Sequence, residues 1–214
     1  MGNMRTTNSF TAVRVGLSHM RFIYVALCSL VLLFPIPRAQ SMGQSAPPFS
    51  RSVILVIRHA EKPDEGSGLT PAGEMRAQEY VSYFEHYKLR GRTIHLDALY
   101  AAKDSRGSQR PRLTITPLSQ ALGLPISASF KDKDCQDFVD SIAPTVNGKT
   151  VLICWHHGEM PDLLAALGAD PDTLLPNGKW PPEQFGWVIQ LCYDQSGHLI
   201  PALTRRVLED LPTN

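Results

Sequence analysis

Two stretches of the chain carry almost no polar side chain and predict strands buried on both faces. Residues 53–57 run VILVI, within the segment SVILVIRHAEK of residues 52–62, and residues 151–155 run VLICW. Near-continuous Val, Ile and Leu, without the alternation of a half-solvated strand, marks a central strand covered by helices on both sides. Thr70-Pro71 predicts a helix start, with Thr as the N-cap and Pro at the first helical position. Met75, Tyr80 or Val81, Phe84 and Tyr87 continue it as one apolar stripe. Residues 96–101 predict a short second strand, 102–109 a polar loop, and 114–122 a helix stopped by Gly123 at its C-cap. A brief strand or extended turn at 123–126, a helix at 135–142, a helix at 161–167 closed by Gly168, and a last strand at 186–193 complete the pattern. Strands alternating with helices predict an α/β fold, a three-layer sandwich with a mainly parallel central sheet.

The first part of the chain has a different character. Arg14 and Arg21 precede the largely apolar stretch 22–36, and Ala39-Gln40-Ser41 places small residues where a signal peptidase cuts. That stretch is shorter than the roughly 20 residues that span a bilayer. Residues 1–41 are therefore expected to be a cleaved signal peptide, with an uncleaved anchor as the alternative and Met20 as an alternative start. Residues 42–51 are expected to form a Ser/Pro-containing linker, and 52–214 the main folded domain. The mature protein is expected to be exported, periplasmic or secreted, with no stable membrane association once the leader is gone.

The leader also carries charge away. It holds four of the 21 basic side chains and none of the 20 acidic ones, so the remainder is slightly acidic. Such a domain has no global field for nucleic acid or anionic membranes, and none is expected as a partner. Cys28 leaves with the leader. Cys135, Cys154 and Cys192 remain, without CxxC spacing, so at most one internal disulfide can form and a thiolate zinc site is disfavoured.

The chemistry gathers at the ends of the two apolar strands. One delivers Arg58 and His59, the other His156 and His157. In open α/β sheets ligands collect at the carboxyl ends of the strands, so both clusters face one crevice. An always-charged fork that can grip phosphate beside an imidazole that can attack it proposes phosphoryl chemistry rather than packing.

Arg58-His59-Ala60-Glu61 resembles the signature of the histidine phosphatase superfamily, which includes phosphoglycerate mutases and acid phosphatases. Most members have Gly where Ala60 stands; a branch of the superfamily carries the Arg-His-Ala-Glu-Lys form found here. Leu69-Thr70-Pro71-Ala72-Gly73 resembles its LTxxG helix start. The segment 108–114 resembles its second arginine motif, in which Arg precedes Thr by four residues, and this selects Arg110 over Arg106 and Arg112. Residues 151–158 resemble the strand bearing the second histidine. The likeness extends in order from residue 52 to about 193.

The resemblance implies a phosphoglycerate mutase-like fold and a phosphatase acting on phosphomonoesters through a phosphohistidine at His59. It implies that Arg58 and Arg110 bind the phosphate, that no cofactor or metal is needed, and that the substrate is a phosphorylated small molecule or other phosphoester. For the second catalytic histidine the His-Gly dipeptide favours His157, with His156 as the alternative. Phosphomutase-type transfer and a non-catalytic phosphate- or partner-binding module are the rival functions. A zinc hydrolase using His59, His156 and His157 is a more distant one, since HExxH spacing is lacking. The general acid is open between Glu159 and Glu61, Lys62 being the expected partner of Glu61. The aromatic stretch Trp180-Pro181-Pro182 with Phe185-Gly186-Trp187 fits either a pocket wall or core packing.

Overall fold

The computed structural model describes residues 46–211. Its elements follow in chain order. Strand β1 (Val53–Arg58) leads to helix α1 (Pro71–Glu85), a small hairpin of β2 (Lys88–Leu89) and β3 (Arg92–Thr93), strand β4 (Ala98–Ala101) and helix α2 (Arg110–Leu122). Strand β5 (Ile126–Ser127), helix α3 (Cys135–Ile142), strand β6 (Thr150–Trp155), helix α4 (Met160–Ala166), the short helix α5 (Pro171–Leu174), and strands β7 (Trp187–Cys192) and β8 (Arg205–Leu208) complete the order.

Six of the strands form one sheet in the order β5-β4-β6-β1-β7-β8. The first four run parallel; β7 and β8 are antiparallel additions at one side. This is the expected α/β sandwich with a mainly parallel sheet. Two features depart from expectation: 187–192 is not the last strand, and it runs against β1. Apolar patterning identifies a buried strand without fixing its direction, and β8, largely exposed, carries no buried run to reveal it.

Both faces of the sheet are dry. Leu55, Ile57, Leu152, Cys154 and Val188 meet Tyr80, Phe84, Ile115 and Leu118 of α1 and α2. Ile54, Val56, Val151, Ile153 and Trp155 meet Phe138, Val139, Leu163 and Leu164 of α3 and α4. Burial of this kind contributes about 25 cal/mol per Å² of apolar surface removed from water. Core helix α1 uses Ala77, Tyr80 and Phe84, whereas Met75 is 45% exposed, outside the stripe to which the sequence assigns it.

Helix α2 begins four residues earlier than periodicity predicts, at Arg110, with Pro111 in its first turn and Gly123 closing it at φ 66°. The earlier start is polar and therefore invisible to an apolar count. The segment assigned to a linker ends on the domain: Phe49 stacks on Tyr193 at 5.0 Å, and the Ser50 hydroxyl donates to the Gln195 carbonyl at 2.8 Å. The expected leader, residues 1–41, lies outside the described residues. Among those described, no helix is long and apolar enough to cross a membrane. Cys135, Cys154 and Cys192 are buried free thiols.

Candidate active site

Parallel pairing of β1 with β6 sets Arg58 opposite Trp155. The next residue of each strand is a histidine, and the His59 amide extends the ladder by donating to the Trp155 carbonyl at 3.0 Å. The rings of His59 and His156 stand 5.1 Å apart edge to face, and that of His157 is 6.4 Å from His59. The sheet thus brings both predicted histidine clusters together.

The loop after β1 is pinned from two helices. Thr114 accepts the Ala60 amide at 2.8 Å while its hydroxyl donates to the Arg110 carbonyl at 2.8 Å. Gly73 lets α1 approach from the other side: a Cβ there would lie 2.6 Å from the Glu61 carbonyl oxygen. Thr70 caps α1 by accepting the Gly73 amide at 3.1 Å, and the Thr70 amide donates to the same Glu61 oxygen at 3.0 Å.

His59 is 2% exposed. Burial, aided by the Arg58, His156 and Arg110 charges and opposed by its backbone hydrogen bond, holds its pKa down at about 3, so the ring is neutral. Its Nδ1 lies 2.7 Å from the Ala60 carbonyl. A carbonyl can only accept, so Nδ1 carries the proton and the Nε2 lone pair is free. That is the tautomer of a nucleophile.

Arg58 is 1% exposed and is held by a loop the sequence offered as wall or core. Nη1 donates to the carbonyls of Pro181 (3.4 Å), Pro182 (2.5 Å) and Gln184 (3.2 Å). Phe185 lies against the guanidinium at 3.9 Å, a cation–π contact. Burial lowers the Arg58 pKa to about 10, partly offset by Glu61, and the group stays charged at neutral pH. Trp180 and Trp187, by contrast, are core residues 5.5 Å apart. The stretch therefore divides: its tryptophans pack, while its carbonyls and Phe185 serve the site. No residue-type signal could have shown this, because the acceptors are backbone atoms.

Nη2 of Arg58 is 3.5 Å from His157 Nδ1. Guanidinium only donates, so Nδ1 accepts and the proton of neutral His157 sits on Nε2. Burial, Arg58 and Lys62 lower the His157 pKa, against Glu183. His156 is also lowered, by burial first, with Asp132 opposing and Arg110, His157 and Arg58 reinforcing. Arg110, at the first turn of α2, donates to the carbonyls of Gly66 and Gly107 at 3.3 Å each.

Two donors are left over. Nε of Arg58 and Nε of Arg110 are buried, with no acceptor among the described residues. Buried polar groups are paired in folded proteins as a rule, and the charges of these two guanidinium groups both bear on the neutral His59 ring, a combination suited to an anion.

The other basic and acidic residues go elsewhere. Arg112 pairs with Asp104 at 2.7 Å and Arg106 is exposed. Glu61 does not pair with Lys62: Arg76 grips it at 2.7 Å and reaches the buried Glu209 at 3.0 Å with the same guanidinium. Glu61, fifteen residues before its partner, is thus committed to an ion pair rather than proton donation. Glu159 is raised by burial and by Asp132, on the α3 side. Glu183, which the sequence did not single out, is the carboxylate whose charge bears on both Arg58 and His157. Among the described residues, no group of three His, Cys, Asp or Glu is disposed to hold a metal ion.

Fold and site together define an α/β domain with Arg58 and the neutral His59 at the end of one parallel strand, a histidine pair after the next, and Arg110 in the first turn of α2. No protein-family model matches the chain, and no curated protein is similar to it in sequence. Among solved structures it is similar to the protein histidine phosphatase SixA complexed with tungstate, at 15% identity and a TM-score of 0.48, over 73% of this chain and 96% of that one. It is similar to a mycobacterial glucosyl-3-phosphoglycerate phosphatase with inorganic phosphate, at 13% identity and 0.47, over 74% and 96%. A phosphoglycerate mutase from Bacillus anthracis gives 12% identity and 0.47, over 77% and 93%.

Proposed function

We propose that the protein hydrolyses phosphomonoesters through a phosphohistidine at His59. The observation that carries this reading is the fixed tautomer of a neutral, buried His59, on which the charges of two arginines with unpartnered Nε–H groups bear. The Nε2 lone pair attacks phosphorus, an N–P bond forms, and the P–O bond to the leaving group breaks as its oxygen takes a proton. Water then attacks phosphorus, the N–P bond breaks, and inorganic phosphate leaves. Charge gathers on the three equatorial oxygens in transfer, and Arg58, Arg110 and His157 Nε2–H supply donors to them. Glu183 is the carboxylate we assign to the leaving oxygen; Glu183→Gln should slow alkyl phosphates more than nitrophenyl phosphate.

Trapping tests the reading. Rapid quenching with a radiolabelled phosphomonoester should leave label on the protein, stable to base and lost in acid, and His59→Ala should abolish both label and turnover. Turnover by His59→Ala equal to wild type on an aryl phosphate would overturn it. A second reading has its own observation: His156 has the ring nearer to His59, and its substitution separates it from His157. Export through cleavage near residue 41 belongs to the same proposal, and the N-terminal sequence of protein recovered outside the cytoplasm tests it.

A further inference from the structure

Beside the phosphate-binding groups lies a cavity of about 460 Å³ whose lining includes His157, Pro161, Pro176, Lys179, Pro181 and Pro182. It shares two components with the site. His157 is common to both, and Pro181 and Pro182 turn their carbonyls to Arg58 while walling the cavity. A phosphoryl group held by the Nε2–H of His157 therefore has this cavity adjoining it, where a leaving group can lie.

The lining narrows what can lie there. Four prolines give rigid, apolar walls that lose little entropy on binding, a surface for a flat ring rather than a flexible polyol. Trp180 adds to the lining, with its indole N–H already donated to the Gln184 carbonyl at 2.6 Å. Lys179 is the one cationic residue of the lining, the His157 ring being neutral, and it has no carboxylate within ion-pair distance among the described residues. Its position is set by a tight turn. Asn177 and Gly178 both have positive φ, 51° and 67°, and the Asp172 carboxylate occupies the place a Gly178 Cβ would need.

We infer that this cavity is a leaving-group subsite for an aryl phosphate that carries a second anionic group, a carboxylate, directed to Lys179. The inference rests on the phosphohistidine reading for the chemistry, but recognition can be measured apart from it.

The experiment compares phenyl phosphate with its 3- and 4-carboxyl derivatives. Wild-type protein should favour one carboxylated ester by about two- to fivefold in kcat/KM, as expected for an exposed ion pair. Lys179→Met, which keeps length and removes charge, should bring the ratio to about one; Lys88→Met, on the remote hairpin, should leave it unchanged. The same pair of proteins is titrated calorimetrically with phenylphosphonate and its carboxylated analogues, which cannot turn over. A preference for the carboxylated phosphonate that Lys179→Met removes supports the subsite even if no ester is hydrolysed, and in that case only the hydrolytic reading falls. A wild-type protein that prefers the uncharged ring, or a ratio that Lys179→Met leaves intact, overturns the subsite while hydrolysis stands.

Discussion

The ring of Phe185 rests on the guanidinium of Arg58, with Cζ 3.9 Å from the ring centroid. It does so from a loop that follows β6 by some thirty residues, and three carbonyls of that loop grip the opposite edge of the same group. Arg58 is thus aimed by a loop rather than by its own strand. A buried cation–π contact contributes about 2 kcal/mol or less. Phe185→Ala should raise KM and the inhibition constant of inorganic phosphate about five- to twentyfold, with a smaller effect on kcat. Phe185→Trp should recover most of the loss. Equal loss in both variants, or a change confined to kcat, would show that the ring does not position the arginine.

Charge alone will not replace either arginine. Arg58→Lys keeps a cation but cannot donate at once to the Pro182 carbonyl, to His157 and through Nε. Arg110→Lys loses the fork that bridges Gly66 and Gly107. Each change should lower kcat/KM by about 10²–10³, the cost of removing one donor from a comparable oxyanion site. Steady-state kinetics on an aryl phosphate, with circular dichroism to show retained folding, checks both.

Much of this arrangement was legible in the sequence, and the remainder has physical reasons for being hidden. The runs ending in Arg58-His59 and His156-His157 mark central strands because two-sided burial leaves short, nearly uninterrupted runs of apolar residues. Arg110 is selected by the resemblance, through the motif that sets it four residues before Thr114, and the Thr114 hydroxyl ties the Ala60 amide to the first turn of α2. The antiparallel course of β7 was not legible, since apolar runs have no direction. Nor were the Pro182 carbonyl or the Arg76–Glu61 pair, because backbone acceptors carry no residue signature and partners fifteen residues apart meet only once α1 is docked.

Arg76 holds two carboxylates, Glu61 with 22% of its side chain exposed and Glu209 with 1%, the latter also accepting from the Tyr80 hydroxyl at 2.7 Å. Burial pushes Glu209 up to about 7, opposed by Tyr80 and Arg76. Arg76→Met leaves a buried carboxylate without its cation and should cost about 3–5 kcal/mol in urea unfolding at pH 8. Glu61→Gln should cost less, about 1 kcal/mol, because its site is partly wet. If Glu61 were the proton donor instead, Glu61→Gln would remove a limb of the pH–rate profile; the expected profile keeps both limbs.

The two histidines that follow β6 make different contacts. His157 Nδ1 accepts from Arg58 and so presents Nε2–H, whereas His156 stands nearer the His59 ring under the influence of Arg110 and Asp132. His157→Ala should lower kcat about 10²–10³-fold, with His156→Ala the milder change. The reverse order would give the second catalytic role to His156.

Neutrality of His59 has a consequence for stability that can be read without any substrate. Its pKa is about 3 in the folded protein against an ordinary 6.5, so between those values the unfolded chain binds a proton that the folded one does not. Stability from this group is therefore fully present above pH 6.5 and lost as pH falls towards 3, at up to about 1.4 kcal/mol per pH unit. His59→Gln removes the titration and keeps a polar side chain of similar reach. Glu209 works in the opposite sense, its raised pKa weakening the fold as pH rises from 4.5 through 7, but it is common to both proteins and drops out of their difference. Chemical unfolding at a series of pH values should show wild type losing stability relative to His59→Gln below pH 6.5, by several kcal/mol at pH 4. Parallel curves would mean that His59 takes up its proton as readily in the folded protein as in the unfolded chain, so that burial does not hold the ring neutral.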